Sequence, residues 1–301
     1  MTLPRRPRWY THGLNRAAYY RLASACGAAL PRRARLSLAR VVGRALGRHL
    51  VEERSQVRAN LARVLPGAPA AALDRGASET FANFAACFAD LLTINRGDPA
   101  RLRDYLVGAE GEAELDSACA PRRGVILLTA HLGNWELGGR LLAPRLRRTT
   151  HVVLSPEQDA ALESYLRRDE PRLRFVTRRS ATSTLGLLAA LRRNEAVAMQ
   201  GDRPTGERGD RAVPFFGAAA AFPVGPFVLA RAAGAPVVPA FCVITPRGGY
   251  RITLEPAIWV GPGEEEAALV TAVGALERAI RRHPTQWFNF FDVWNPARAA
   301  A

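Results

Sequence analysis

Between Pro121 and Ile244 the chain alternates short, apolar-rich runs with segments long enough to be helices, and that alternation limits the folds open to it. The runs are Gly124 to Thr129, His151 to Ser155, Glu195 to Gln200 and Pro236 to Ile244. Runs of this length suit strands buried on both faces of a parallel sheet, with the intervening segments as crossover helices. The expected fold class is therefore α/β: a largely parallel sheet flanked by helices. At 301 residues the chain is long enough for one such unit with additional helices. Residues 1–95 are expected to form a helical N-terminal extension and 96–301 the α/β region, together in one unit.

The N-terminal part reads as helical from Leu14 to about Asn95, rich in Ala, Leu and Arg, with breaks at Pro31 and around Pro66 to Pro69. Phe81, Phe84, Phe88, Leu91 and Leu92 follow the three-or-four spacing of a buried helical stripe, facing either a core or an acyl chain. Pro226 is placed to open a helix that Gly234 and Pro236 close. A last helix begins at Glu264, Glu265 and Glu266 and finishes at Arg281, Arg282 and His283, an order of charges that suits its dipole.

The formal charge of +15 points to an anionic partner: lipid head groups, an acidic carrier protein or nucleic acid. All 42 basic residues are Arg and Ala is abundant, so a composition-biased genome accounts for part of the excess. No recognisable nucleic-acid module accompanies the charge, and nucleic acid is not expected as a partner. No run reaches the roughly 18 apolar residues of a membrane span. Peripheral attachment to an anionic membrane surface is expected instead, with Tyr10, Leu14, Tyr19, Tyr20 and Leu22 in apolar contact and Arg16, Arg21, Arg32 and Arg33 on lipid phosphates. The N-terminal region is thus read as membrane-proximal.

Cys26, Cys87, Cys119 and Cys242 form no Cys-x-x-Cys pair, and His12, His49, His131, His151 and His283 are scattered. No metal site is expected. The segment that suggests chemistry runs from Gly124 through Thr129 and Ala130 to His131-Leu-Gly133-Asn134-Trp-Glu136. It reads as a strand, a glycine-containing turn and a helix, a place where strand ends hold active-site side chains. A histidine in the turn and a glutamate in the first helical turn can meet. His131 then takes a proton from a weak hydroxyl or amine nucleophile, and Glu136 holds the imidazole tautomer. Main-chain amides around Gly133 and Asn134 are candidate donors to an oxyanion.

These words, with three later segments in order, resemble the bacterial lipid A biosynthesis (late) acyltransferases of the glycerolipid acyltransferase superfamily. The segments are Met199-Gln-Gly-Asp202-Arg203-Pro204 with Val213-Pro-Phe215-Phe216-Gly217, then Phe222 to Pro226 with Ala235 to Pro239, and Leu276 to Ile280 through His283 to Trp287. The resemblance implies a glycerolipid-acyltransferase-like fold in which 96–301 is the catalytic region. It implies His131 and Glu136 as catalytic residues, with Gly133, Asn134, Asp202, Arg203, Phe215 and Phe216 meeting substrate. Asp202 and Arg203 could equally form a surface turn, and Phe215 and Phe216 could plug the core rather than border an acyl tunnel.

The implied reaction moves an acyl chain from an acyl carrier protein or CoA thioester to a lipid or glycolipid acceptor at the cytoplasmic face of the inner membrane. The thioester is a cosubstrate and no cofactor is expected. The ending Phe290-Phe291-Asp292-Val-Trp294-Asn-Pro296 resembles that of relatives associated with polyene, pigment or other specialised lipid conjugates. A homologue that binds lipid without turnover is the competing reading, and the intact His131 and Glu136 argue against it. A base mechanism without metal predicts that exhaustive chelation leaves the turnover rate unchanged. Activity lost to a chelator and restored by one divalent ion would contradict it.

Overall fold

In the computed structural model the helical breaks fall where charge and proline place them. Residues 29–94, 104–154, 172–177, 181–205 and 209–295 are described. Of the expected membrane contacts, Tyr10, Leu14, Arg16, Tyr19, Tyr20, Arg21 and Leu22 lie outside the described residues. The chain divides into two units: Met1–Gly97 with Glu157–Leu166 and His283–Ala301, and Asp98–Pro156 with Arg167–Arg282.

The first unit holds α1 (Arg32–His49), α2 (Val51–Val64) and α3 (Ala70–Ile94). Pro31 precedes α1, and the break before α3 spans the expected prolines. The α1–α2 break at Leu50 was not expected, although Arg48 and His49 end one helix and Glu52 and Glu53 begin the next, each suiting its dipole. Gly43 and Gly47 bring α1 close to α3; a Cβ at Gly43 would sit 2.5 Å from the Phe81 carbonyl oxygen. The sequence reading assigned residues 283–295 to the α/β region, but they pack with the helices. Phe290 lies 5.0 Å from Phe81, and the Phe84 ring meets Phe288 and Phe290 edge-on at 5.3 and 5.4 Å. Of the expected stripe, Phe81, Leu91 and Leu92 are buried, so it faces a protein core.

The second unit is built on a seven-stranded sheet in the order β1-β9-β8-β2-β5-β3-β4. Its strands are β1 (Leu106–Glu110), β2 (Val125–Thr129), β3 (Thr150–Leu154), β4 (Leu173–Thr177), β5 (Ala196–Gln200), β8 (Val237–Ile244) and β9 (Tyr250–Leu254). All neighbours are parallel except β8 and β9. The four apolar runs became β2, β3, β5 and β8, within a residue of their expected ends, and every β8 residue is buried. Helices α4 (Glu112–Cys119), α5 (Trp135–Leu146), α6 (Ala181–Arg192), α7 (Gly225–Ala233) and α8 (Glu265–Arg282) accompany the sheet. The α7 helix ends at Gly234, whose φ of +65° makes a left-handed cap. A hairpin, β6 (Asp210–Phe215) and β7 (Ala218–Pro223), stands apart from the main sheet.

Asn60, 3% exposed, joins α2 to the C-terminal segment by donating both Nδ2 protons, to the Asn289 and Phe291 carbonyls at 2.9 Å each. Replacing it with leucine leaves the buried Asn289 carbonyl and the part-buried Phe291 carbonyl without that donor, at a cost of about 1–3 kcal/mol. Asn60→Leu is therefore expected to lower the unfolding midpoint in a denaturant titration. A midpoint equal to wild type would contradict this role.

Candidate active site

Parallel pairing of β2 with β5 builds the site. The strands align residue for residue, Val125 with Ala196 through to Thr129 with Gln200. The Gly201 amide extends the ladder by donating to the Thr129 carbonyl at 2.9 Å. Two residues beyond each paired strand end come His131 and Asp202, side by side at the carboxyl edge of the sheet, where α/β folds collect functional groups.

Asp202, 1% exposed, grips the histidine twice. Its Oδ2 accepts from the His131 main-chain N–H at 3.1 Å, and its Oδ1 lies 2.7 Å from Nδ1. A carboxylate only accepts, so the ring proton resides on Nδ1 and the Nε2 lone pair is left to act as a base. The Trp135 ring meets the imidazole edge-on, centroids 4.8 Å apart. Burial lowers the His131 pKa below the ordinary 6.5 and the Arg203 cation lowers it further, while Asp202 opposes them. At neutral pH the imidazole is thus uncharged, the form a base requires.

The carboxylate on Nδ1 is Asp202, a partner the sequence did not pair with His131. The chain turns at Gly133, and Asn134 caps α5 by accepting the Leu137 amide at 3.2 Å. Trp135, the first helical residue, therefore faces the imidazole. Glu136, one residue on, is rotated about 100° around the helix axis. The Asn134 main-chain amide, expected as an oxyanion donor, has a partner within the protein. The Asn134 N–H donates to the Cys242 carbonyl at 2.7 Å and its Nδ2 to the Tyr250 hydroxyl at 3.0 Å. Its amide is thus committed within the protein rather than to an oxyanion. Gly133, at φ +63°, serves close approach: a Cβ there would lie 2.1 Å from the Cys242 oxygen.

Arg203 stands next to Asp202, half-buried, where its charge is felt by His131. Phe215 is fully buried, edge-on to Phe222 at 5.1 Å. Phe216 forms the hairpin turn at φ +47°, its amide donating to the Glu277 carboxylate and its ring lying under Arg281 at 4.9 Å. Neither lines the apolar cavity that begins immediately below His131 and Asp202. Ala130 and Gly201 open that cavity, with Phe241 from β8 and Leu269, Val273 and Leu276 from α8 among its walls. It holds about 20 Å³, room for one water rather than an acyl chain. A larger concavity of about 550 Å³ lies at the opposite, amino edge of the strands among Arg122, Arg145, Arg147 and Arg148, away from this pair.

Comparison with known proteins adds an independent finding. Residues 19–295 match the family described as bacterial lipid A biosynthesis acyltransferase. The chain belongs to that family. It is 30% identical over 246 residues to a phosphatidylinositol mannoside acyltransferase of Mycobacterium tuberculosis, covering 79% of this chain and 76% of the relative. It is 29% identical over 181 residues to a lipid A biosynthesis palmitoleoyltransferase of Escherichia coli, covering 59% and 58%. This member of the lipid A acyltransferase family is accordingly an enzyme that joins an acyl donor to a lipid acceptor.

Sequence reasoning singled out His131 and Asp202 separately and missed that they are partners. The signal was present, because each lies two residues past the end of a buried run and parallel neighbours align such ends. Trp135 and Tyr250 were not foreseen in any site role.

Since the imidazole must be neutral to act, kcat/KM is expected to stay level as pH falls past 6.5 and to drop only as His131 protonates at its depressed pKa. Arg203→Gln removes one depressing charge and should move this acid limb to higher pH. An unmoved or lowered limb would contradict the electrostatic reading. Asp202→Asn should reduce turnover by about 10²–10⁴-fold, with Glu136→Gln the milder change. The reverse order would restore Glu136 as the orienting acid.

Proposed function

We propose that the protein transfers a fatty acyl chain from an acyl carrier protein or CoA thioester to a hydroxyl or amine of a lipid, glycolipid or lipid-like conjugate, peripherally attached at the cytoplasmic face of the inner membrane. The observation that carries the reading is the double grip of Asp202 on His131, which leaves Nε2 as an aligned, uncharged base. His131 Nε2 takes the acceptor's proton as its oxygen or nitrogen attacks the thioester carbonyl. The tetrahedral intermediate collapses, the C–S bond breaks, and the imidazolium returns the proton to the departing sulfur. Products are the acylated acceptor and a free thiol. No acyl-enzyme forms and no bound cofactor takes part.

Asp202 stabilises the transient imidazolium, so the loss of proton from the acceptor meets a site already polarised to receive it. Arg203, a planar cation beside the pair, suits a phosphate on the donor or the acceptor. The acyl chain is assigned to the apolar cavity under His131, which must widen between α8 and the sheet by movement of Leu269, Val273 and Leu276. The two relatives act, by name, on a phosphatidylinositol mannoside and on lipid A, and a sugar-bearing lipid acceptor is the shared chemistry.

Purified protein supplied with an acyl thioester and a bacterial lipid extract should release thiol and acylate one lipid species. Parallel reactions with acyl carrier protein and CoA donors identify the donor, and lipid profiles of a deletion strain identify the acceptor. Folded wild-type protein that releases no thiol from either donor would instead support a lipid-binding homologue without turnover.

A further inference from the structure

In α1 the usual arrangement of a surface helix is reversed. Four of its six arginines face protein: Arg32 and Arg35 pair with the buried Asp90, Arg40 donates to the Asn83 side chain at 2.8 Å, and Arg44 pairs with Glu79 at 2.8 Å. All three acceptors, Asp90, Asn83 and Glu79, belong to α3, and Gly43 and Gly47 lie on the same packed face. The opposite face is aliphatic. Leu38, Val41, Val42 and Leu46 recur at three-to-four-residue spacing and keep 43–60% of their surfaces exposed, with Ala34 and Ala45 among them. A soluble helix normally turns its polar side chains outward, and a contiguous aliphatic stripe in water marks an interaction surface.

We propose that this outward face of α1 is the surface by which the protein docks on an anionic lipid bilayer, with the aliphatic side chains among the acyl chains and Arg33 and Arg48 at the phosphates. The proposal rests on the reading of peripheral membrane attachment and names the helix face responsible. Charge selects the occupant. The helix carries no acidic residue, and Arg33 and Arg48 are exposed alongside the stripe. The first acidic residue of the entire chain is Glu52, and eleven arginines precede it. A second copy seated on this face would bring the same cations against one another. Residues 1–28 folded over it would add five more arginines and no acid. A bilayer with anionic head groups supplies both what the stripe lacks, hydrocarbon, and what the arginines lack, negative charge. A basic helix with one aliphatic face lies in the plane of such an interface. Among the described residues, no helix is long and apolar enough to cross a membrane.

Flotation of the full chain with phosphatidylglycerol–phosphatidylcholine vesicles, against phosphatidylcholine alone, tests the assignment. The wild type should float with the anionic vesicles and be released by salt. The triple variant Leu38→Gln, Val42→Gln, Leu46→Gln should partition about tenfold less, with an unchanged circular-dichroism melt and unchanged thiol release on a detergent-dispersed acceptor. That detergent assay separates the two readings, because a defect in docking leaves it untouched whereas a failure of the enzymatic reading shows there in the wild type. The double variant Arg33→Gln, Arg48→Gln should weaken the preference for phosphatidylglycerol and leave the packed face intact. Wild-type flotation by the folded triple variant would overturn the proposal. So would a wild-type dimer in light scattering that the triple variant dissociates, which would give the face to a second copy. Flotation abolished by deleting residues 1–28 alone would give the attachment to that segment and equally overturn it.

Discussion

The in-register parallel pairing of β2 with β5 is the constraint on which the site depends. It sets Thr129 against Gln200, and two residues further on it leaves His131 and Asp202 no geometry but to be neighbours. The strand β8, parallel to β2 on its other side, then holds the turn. The Cys242 carbonyl takes the Asn134 amide, and β9 supplies the Tyr250 hydroxyl for the Asn134 side chain. Each such hydrogen bond contributes only about 1 kcal/mol net. Their joint effect is positional: a loop joined to three strands and a helix cap holds the imidazole in one orientation before substrate arrives, which is what a preorganised base requires.

The sheet interior was legible in sequence because its strands are buried on both faces. β2, β5 and β8 read as continuous apolar runs, and no helix of that length fits between their flanking turns. Of the strands toward the edges of the sheet, β3 was read as an apolar run, whereas β1, β4 and β9 were not legible. β9 alternates buried Tyr250, Ile252 and Leu254 with Arg251 and Thr253, a period of two over five residues that is too brief to stand out. β7 begins with four alanines, residues with little strand preference, and is a strand because the Phe216–Gly217 turn brings it back along β6. Closeness in sequence also misled. Glu136 is five residues from His131 and Asp202 is seventy-one, yet it is the distant residue, delivered by strand register, whose carboxylate sits on Nδ1. An asparagine immediately before an amphipathic segment is itself a capping signal. On that signal Asn134 belonged to the scaffold and not to the oxyanion.

Arginine serves three separate purposes in this chain, and net charge alone does not distinguish them. In the helical unit Arg32 and Arg35 converge on one buried aspartate and hold α1 to α3. In the α/β unit Arg278 and Arg282 close on Glu255 at 2.8 Å each, fixing the end of α8. Arg203 beside the catalytic pair is set apart by its effect, since it depresses the imidazole pKa that Asp202 raises. The balance between those two neighbours, on top of burial, keeps the base neutral and still able to accept a proton.

The central claim is that His131 and Asp202 act as one unit, and a double-mutant cycle on turnover measures this most directly. Rates are needed for His131→Ala, Asp202→Ala and the combination, each checked for an intact fold. If Asp202 works only through the imidazole, removing it from an enzyme that already lacks His131 costs nothing more, and the double variant is as slow as His131→Ala alone. Losses that multiply, with the double variant slower by the full product of the two single effects, would show that Asp202 has an independent task and would contradict the account.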